Sequence, residues 1–330
     1  MKKTRICVVG CGAIANYMHG PSYLKCRAEN TDIVLAGCCD TDETKAASFR
    51  KNFDFEKAYT DMEGMFKAEK PDALFLLSPV DSTFKLAGKI LDMGLPLALE
   101  KPPGKTGEET LGLIRKAEKG NVPNMVLFNR RYSPLIRTLR ELLDGFKTEE
   151  IQLIQYDMFR INRLDDDFAT TAIHAVDAVK FISGSDYQEI NFSYRDYPEL
   201  GKNIADVSMF FTMKSGATGN INICPVTGIN MERVTVNLLN HIFILEYPGT
   251  ALSPSGRLVV INNNEITAEY NGKSMKDGDK PFEREGFFFE NKHFLDMVMQ
   301  GVKPSGDLAS ALQSVEVSEC IRKRILKYPV

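Results

Sequence analysis

No stretch of the chain stays apolar for anything near the roughly 18 residues that a membrane-spanning helix needs, so a bilayer-spanning α-helix is excluded. No charge of one sign dominates either. Against 41 Lys and Arg stand 44 Asp and Glu, a formal net charge of -3, so there is no basic field to hold nucleic acid or an anionic membrane. The seven cysteines (Cys7, Cys11, Cys26, Cys38, Cys39, Cys224, Cys320) contain no CxxC and no paired Cys/His spacing. A structural zinc site therefore has no support, and no metal is expected. Their odd number, with four of them in apolar runs, predicts reduced thiols in a cytoplasmic protein. Internal repeats and low-complexity tracts are also missing.

A secretory leader is imitated but not expected. Met1-Lys2-Lys3-Thr4-Arg5 followed by an apolar segment has the outline of one, yet Gly10 and Gly12 break the segment, and Asn16, Tyr17 and His19 stand where small cleavage-site residues belong. At 330 residues the chain is about twice a usual domain, and 43% apolar residues can build two cores. A small-molecule ligand is the expectation.

The first third alternates short apolar runs with helical segments. Strands are predicted at 5–9, 33–39, 73–77 and 95–99, and helices at 13–27, 43–52, 82–93 and 107–119. The strands are apolar throughout, which indicates a parallel sheet covered on both faces by helices. Beyond Asn121 the pattern changes. After one more strand (125–128) and a helix (134–144), segments at 151–159, 188–196, 204–213, 217–224, 232–239, 242–247, 257–262 and 265–270 alternate or are β-branched, as in an antiparallel sheet. Helices are predicted at 168–182, 285–299 and 308–326, with 271–281 a polar loop. The expected organisation is a nucleotide-binding domain over 1–122 and a substrate-binding, oligomerising α/β domain over 123–330 with a large open, mostly antiparallel sheet.

Gly10-Cys11-Gly12-Ala13-Ile14-Ala15 is G-x-G-x-x-A between a strand and a helix. The first glycine permits the tight turn, the second lets a pyrophosphate approach the backbone, and Ala13 and Ile14 open the helix whose N-terminus receives it. Any α/β turn can require glycine. Here Asp40 also ends the second strand, where its carboxylate can bind both ribose hydroxyls and repel a 2′-phosphate, with Thr41 next to it, so NAD is predicted over NADP. Leu99-Glu100-Lys101-Pro102-Pro103 closes another strand at the ligand-binding edge of such a sheet. An isolated Glu-Lys pair is most simply a capped strand end. At this edge, a lysine facing the nicotinamide could hydrogen-bond the reacting oxygen and hold its negative charge.

The glycine fingerprint, Asp40, Ser78-Pro79, Glu100-Lys101-Pro102 and Asn129-Arg130-Arg131-Tyr132-Ser133-Pro134 together resemble the glucose-fructose oxidoreductase/inositol dehydrogenase (Gfo/Idh/MocA) family over nearly the whole chain. The resemblance implies a Rossmann domain followed by an open-sheet domain, and a sugar, glycoside, polyol or inositol as substrate. It also implies a homodimer or homotetramer formed through the exposed sheet face. It places Ser78, Pro79, Glu100, Lys101 and Asn129 at the cofactor, along with Thr83, which stands five places after Ser78 where relatives commonly carry histidine. In such proteins the lysine of Glu-Lys-Pro lies at the substrate and its bond to proline is often cis.

The family's second signature, Asp-x-Gly-x-His-x-x-Asp, aligns with Thr170-Thr171-Ala172-Ile173-His174-Ala175-Val176-Asp177. His174 and Asp177 are kept, whereas Thr170 and Ala172 depart from the pattern. By helical spacing alone, His174 shares a face with Asp177, Ala178 and Phe181, so a half-buried structural histidine is an alternative. The resemblance makes His174 the proton-transferring residue, a task that suits imidazole. Arg160, Asp166, Asp167, Thr170 and Asp177 are expected near the substrate with Lys101, and Asp166 or Asp167 is expected to replace the acid missing at Thr170. His19, His241 and His293 are read as packing or cofactor-edge residues. Two rivals to a dehydrogenase remain at this point: a glycosidase that uses NAD transiently, and a dinucleotide or sugar sensor without turnover.

Overall fold

A computed structural model describes residues 3–275 and 278–329. Within the expected loop 271–281, Gly272–Ser274 make a short 3-10 turn, and Lys276 and Asp277 lie outside the described residues, as do Met1 and Lys2 of the leader-like N-terminus. The chain divides into two compact units, Met1–Asn129 with Gly286–Leu312, and Arg130–Glu285 with Gln313–Val330.

In the first unit, β1 (Thr4–Val9), β2 (Ile33–Cys39), β3 (Lys57–Tyr59), β4 (Ala73–Leu76), β5 (Leu97–Glu100) and β6 (Asn124–Leu127) form one parallel sheet ordered β3-β2-β1-β4-β5-β6. The crossovers carry α1 (Gly20–Glu29), α2 (Glu43–Phe53), α3 (Met62–Glu69), α4 (Val80–Asp92) and α5 (Gly107–Lys119). This is the doubly wound arrangement, in which the order reverses at β1 and β4 and ligands bind beyond the strand C-termini there. Both sheet faces are covered, which is why every residue of β4 is fully buried and why its sequence shows no alternation. The unit extends past the expected break after residue 122. The reason is β6, which pairs in parallel with β5, and the later segment that returns to it: Val126 N–H donates to Gly306 O (2.9 Å) and Leu308 N–H to Asn124 Oδ1 (2.9 Å).

Helix ends follow local chemistry. The Asp42 carboxylate accepts hydrogen bonds from Thr44 N–H (2.9 Å) and Lys45 N–H (3.3 Å), capping α2. Asp42→Ala is expected to lower stability by about 1 kcal/mol, measured as a shift of the denaturation midpoint with an unchanged denaturant slope.

The chain then runs through α6 (Asn129–Tyr132) and α7 (Pro134–Leu143) into β7 (Ile151–Phe159), α8 (Ala169–Ser183), β8 (Tyr187–Asp196), β9 (Ala205–Met213) and β10 (Thr218–Cys224). It continues with β11 (Met231–Leu238), β12 (His241–Glu246), β13 (Arg257–Asn262), β14 (Glu265–Asn271), α9 (Pro281–Arg284), α10 (Phe287–Gln300), α11 (Leu308–Lys323) and β15 (Lys327–Tyr328). Of these, α10 belongs to the first unit. The second unit's sheet has nine strands, β14-β13-β12-β11-β7-β10-β9-β8-β15, antiparallel except where β7 meets β10. Along β7 the inward side chains Ile154, Tyr156 and Met158 are buried while Gln152 and Gln155 are exposed, the alternation of a sheet covered on one face. Ala172, Ala175, Val176 and Val179 of α8 join that buried face in one core cluster, their small side chains allowing close approach. Among the described residues no helix is long and apolar enough to cross a membrane.

Candidate functional site

The glycine loop sits at the end of β1, against the end of β4. Gly10 has φ +101°, and a Cβ there would collide with the Leu77 carbonyl, so only glycine lets the two strand ends meet this closely. Gly12 has a different task. Nothing lies within 4 Å of where its Cβ would stand, and Ala13 and Ile14 beside it are exposed, so the backbone at the start of the helix is open to a ligand. Cys11, between the glycines, is no nucleophile: a hydrogen bond with Cys38 and burial both hold its thiol protonated. The Asp40 carboxylate is fixed from two sides, Oδ2 accepting from Cys11 N–H (2.9 Å) and Oδ1 from Asp42 N–H (3.0 Å). It thereby links the end of β2 to the glycine loop, and each oxygen retains a lone pair for a further donor. Residues of these types in this arrangement fit a dinucleotide: helix N–H groups for the pyrophosphate and a carboxylate for the ribose.

Ser78 and Pro79 follow β4 at the same edge. Thr83, expected to touch the cofactor, is 1% exposed, and its hydroxyl contacts Ser78 Oγ (3.0 Å), Ser78 O (3.1 Å) and Pro79 O (3.0 Å). It shapes the Ser78-Pro79 turn from beneath instead of facing a ligand. Asn129 is likewise buried, at 2%.

Glu100 also departs from its expected cofactor contact. Its Oε1 lies 2.9 Å from His19 Nε2, and its Oε2 accepts from the Lys101 N–H at 3.2 Å. His19 is fully buried, with Nδ1 against the Asn291 side-chain amide (3.1 Å to Nδ2). The glutamate of Glu-Lys-Pro therefore belongs to the support of Lys101. Lys101 itself is half-buried, directly beyond β5, and its bond to Pro102 is cis. Sequence reasoning missed this role of His19 and Asn291. One is in a single π-helical turn, Ala15–His19, and the other is 272 residues away in α10.

In the second unit the expected substrate residues are largely held by other residues of that unit. Arg160 ion-pairs with Glu232 and donates to Phe159 O (2.9 Å) and Met231 O (3.3 Å). Glu232 also accepts from Arg130 (2.5 and 2.8 Å) and Tyr156 OH (2.6 Å). Burial opposes its ionisation, but the charges of Arg130 and Arg160 and these hydrogen bonds outweigh burial and hold the carboxyl far below the carboxylate range. Asp177 is 1% exposed and accepts two bonds from Arg131 (2.5 and 2.7 Å) and one from Ser314 (3.1 Å). It anchors α6 to α8 and is closed to a substrate. Asp167 is held by three bonds from Arg322 (3.0 to 3.1 Å) near the end of α11. The Thr170 hydroxyl donates to Asp167 O (2.8 Å) at the start of α8. Asp166 is exposed, and His174 is half-buried, four residues along the helix from Thr170. Of the two acids expected to assist His174, Asp167 is therefore engaged by arginine and Asp166 is exposed, while Asp177 is also engaged by arginine.

Residues 4–128, the greater part of the first unit, match a family model described as the GFO_IDH_MocA oxidoreductase family, NAD-binding Rossmann fold. The chain therefore carries this family's NAD-binding domain over residues 4–128. Among its relatives are oxidoreductase P35 of Formosa agariphila, 26% identical over 42% of this chain and 42% of that protein, and inositol 2-dehydrogenase of Corynebacterium glutamicum, 22% identical over 58% of each. These matches thus span about half the length of the relatives. A solved levoglucosan dehydrogenase in complex with NADH and levoglucosan shares the fold, with a TM-score of 0.83 and 14% identity, covering 98% of this chain and 97% of that one. The first unit is accordingly an NAD-binding Rossmann domain, as the glycine loop between strand and helix predicted.

Proposed function

We propose that the chain is a cytoplasmic NAD-dependent dehydrogenase that oxidises a secondary alcohol, or reduces the matching ketone, of a sugar, glycoside, polyol or inositol. The observation that carries the reading is that the glycine cradle, Asp40 and Lys101 all lie at one edge of one parallel sheet, beyond the C-termini of β1, β2 and β5. Family relatives named for inositol and levoglucosan support a polyhydroxylated ring as substrate.

Gly10, Gly12, Ala13 and Ile14 would hold the pyrophosphate, Asp40 and Thr41 the adenosine ribose, and Ser78 and Pro79 the neighbouring wall. Bound NAD supplies a hydride acceptor. Lys101 orients the reacting oxygen and stabilises its negative charge, and His174 takes the hydroxyl proton. An assay for NADH formation across inositols, hexoses, pentoses and glycosides tests the reading. Absorbance growth with at least one class supports it, whereas silence with all of them, by a protein shown to bind NAD, refutes it.

NAD is the expected cofactor, because a 2′-phosphate would meet the Asp40 carboxylate and neither Thr41 nor Asp42 can neutralise it. The nearest cation along α2, Lys45, lies 3.8 Å from the Asp42 carboxylate. Titration should give an NADP dissociation constant about tenfold or more above that for NAD; equal or tighter NADP binding contradicts the assignment. A homodimer or homotetramer is also proposed. Phe210 on β9 and Ile266 on β14, 57% and 62% exposed, leave apolar surface on the second unit's sheet that a second copy would cover.

A further inference from the structure

Beneath the Glu100-Lys101 segment lies a buried polar chain that the proposed chemistry does not use. His19, at the end of the π-helical turn, is 0% exposed, as is Asn291 of α10. The imidazole is fixed on every side: Nδ1 by the Asn291 amide, one face by the Tyr23 ring (centroids 6.0 Å apart) and its edge by the Phe287 ring (5.1 Å). Its remaining nitrogen, Nε2, is aimed at Glu100 Oε1 at 2.9 Å. Glu100 in turn holds the Lys101 N–H through its other oxygen. A fully buried histidine in a Phe- and Tyr-lined site is costly unless its nitrogens are used, and here both are.

We infer that His19 is a positioning residue for Lys101, acting through Glu100; the inference rests on the proposed role of Lys101. Nδ1 lies within reach of both Asn291 Oδ1 (3.2 Å) and Nδ2 (3.1 Å), and with Nε2–H donating to Glu100 the carboxylate has one rotamer in which its far oxygen receives the Lys101 peptide. Remove the imidazole donor and Oε1 loses its partner in a half-buried place. Glu100 then turns toward water, and the acceptor that fixes the Lys101 backbone is lost. A misplacement of about 1 Å at an electrophilic group is enough to cost about a hundredfold in rate, so the path from His19 to turnover needs no contact with substrate. The π-helical turn serves the same end: its extra residue per turn displaces His19 from where a regular helix would put it.

Three readouts separate positioning from mere packing. In His19→Phe, turnover is expected to fall about ten- to a hundredfold with KM for the sugar or polyol changed far less. The Lys101 amide should exchange its hydrogen faster by a similar factor while amides of β4 keep theirs. His19→Gln, which restores an N–H donor at the reach of Nε2, should recover most of both effects. In a Lys101→Ala background, His19→Phe should add little further loss, because the two act as one unit. Should His19→Phe fail to fold, Glu100→Gln is expected to reproduce its exchange and turnover defects. The inference is overturned if Lys101 amide exchange is unchanged in His19→Phe and Glu100→Gln, or if His19→Gln is as impaired as His19→Phe. Amide exchange needs no substrate, so a failure to find any oxidised sugar or polyol sinks the dehydrogenase reading without deciding this one.

Discussion

Lys101→Ala is expected to lower turnover by about a hundredfold or more while leaving NAD affinity nearly unchanged. Losing one preorganised donor to a developing oxyanion typically has that effect, because the interaction is stronger in the transition state than in the ground state. The affinity expectation follows from where the proposed cofactor groups sit: Gly12 and Asp40 lie just beyond β1 and β2, whereas Lys101 lies beyond β5. Glu100 stays in place after this substitution, since its partners are His19 and a backbone N–H that alanine also has. The unfolding midpoint should therefore match the wild type. Wild-type turnover in the purified variant shows that Lys101 is not the electrophilic group.

The second large effect distinguishes chemistry from architecture within one helix. His174→Ala is expected to reduce turnover by about a hundredfold to ten-thousandfold with stability nearly intact, the range for loss of a general acid or base. Asp177→Ala should do the opposite. It leaves Arg131, 11% exposed, buried without its carboxylate, a change expected to cost roughly 3–5 kcal/mol. Denaturant titration of both variants, with turnover on the same preparations, decides the matter. A nearly silent His174→Ala beside a stable Asp166→Asn, Asp167→Asn or Asp177→Asn that abolishes turnover would make an aspartate the base.

The features that shape the nucleotide-binding unit were legible because local chemistry dictates them. Gly10 must have positive φ and no side chain beside Leu77, and Asp42 reads as a cap because a short carboxylate before a helical segment has few other uses. Uninterrupted apolar runs such as Ala73–Leu76 announced a doubly covered sheet. What escaped notice were short elements held by their neighbours: β3 has three residues and α3 buries only Met65, Phe66 and Glu69, too little for a periodic signal. β15, two residues long, is defined wholly by its pairing with β8.

The site was legible in residue type and less so in role. Thr83, Glu100, Arg160 and Asp177 are all polar residues near the expected chemistry, yet each is turned toward another part of the protein. For Glu100 and Arg160 sequence spacing cannot reveal this, because the partners are distant: Glu100 meets His19 across 81 positions and Arg160 meets Glu232 across 72. One signal was available. Asn129-Arg130-Arg131 places two adjacent guanidinium groups in a chain whose acids are otherwise balanced, and buried arginines require carboxylates, which Glu232 and Asp177 provide.

The central claim is that a hydride passes between the substrate carbon and the nicotinamide as a net reaction. The most direct measurement uses a sugar or polyol deuterated at the carbinol carbon, followed by mass spectrometry of the reduced cofactor. The account predicts one deuterium per reduced nicotinamide, a slower rate with the deuterated substrate when transfer limits turnover, and ketone accumulating in step with NADH. Substrate consumed or cleaved with no deuterium accumulating in free reduced cofactor and no ketone product would contradict it.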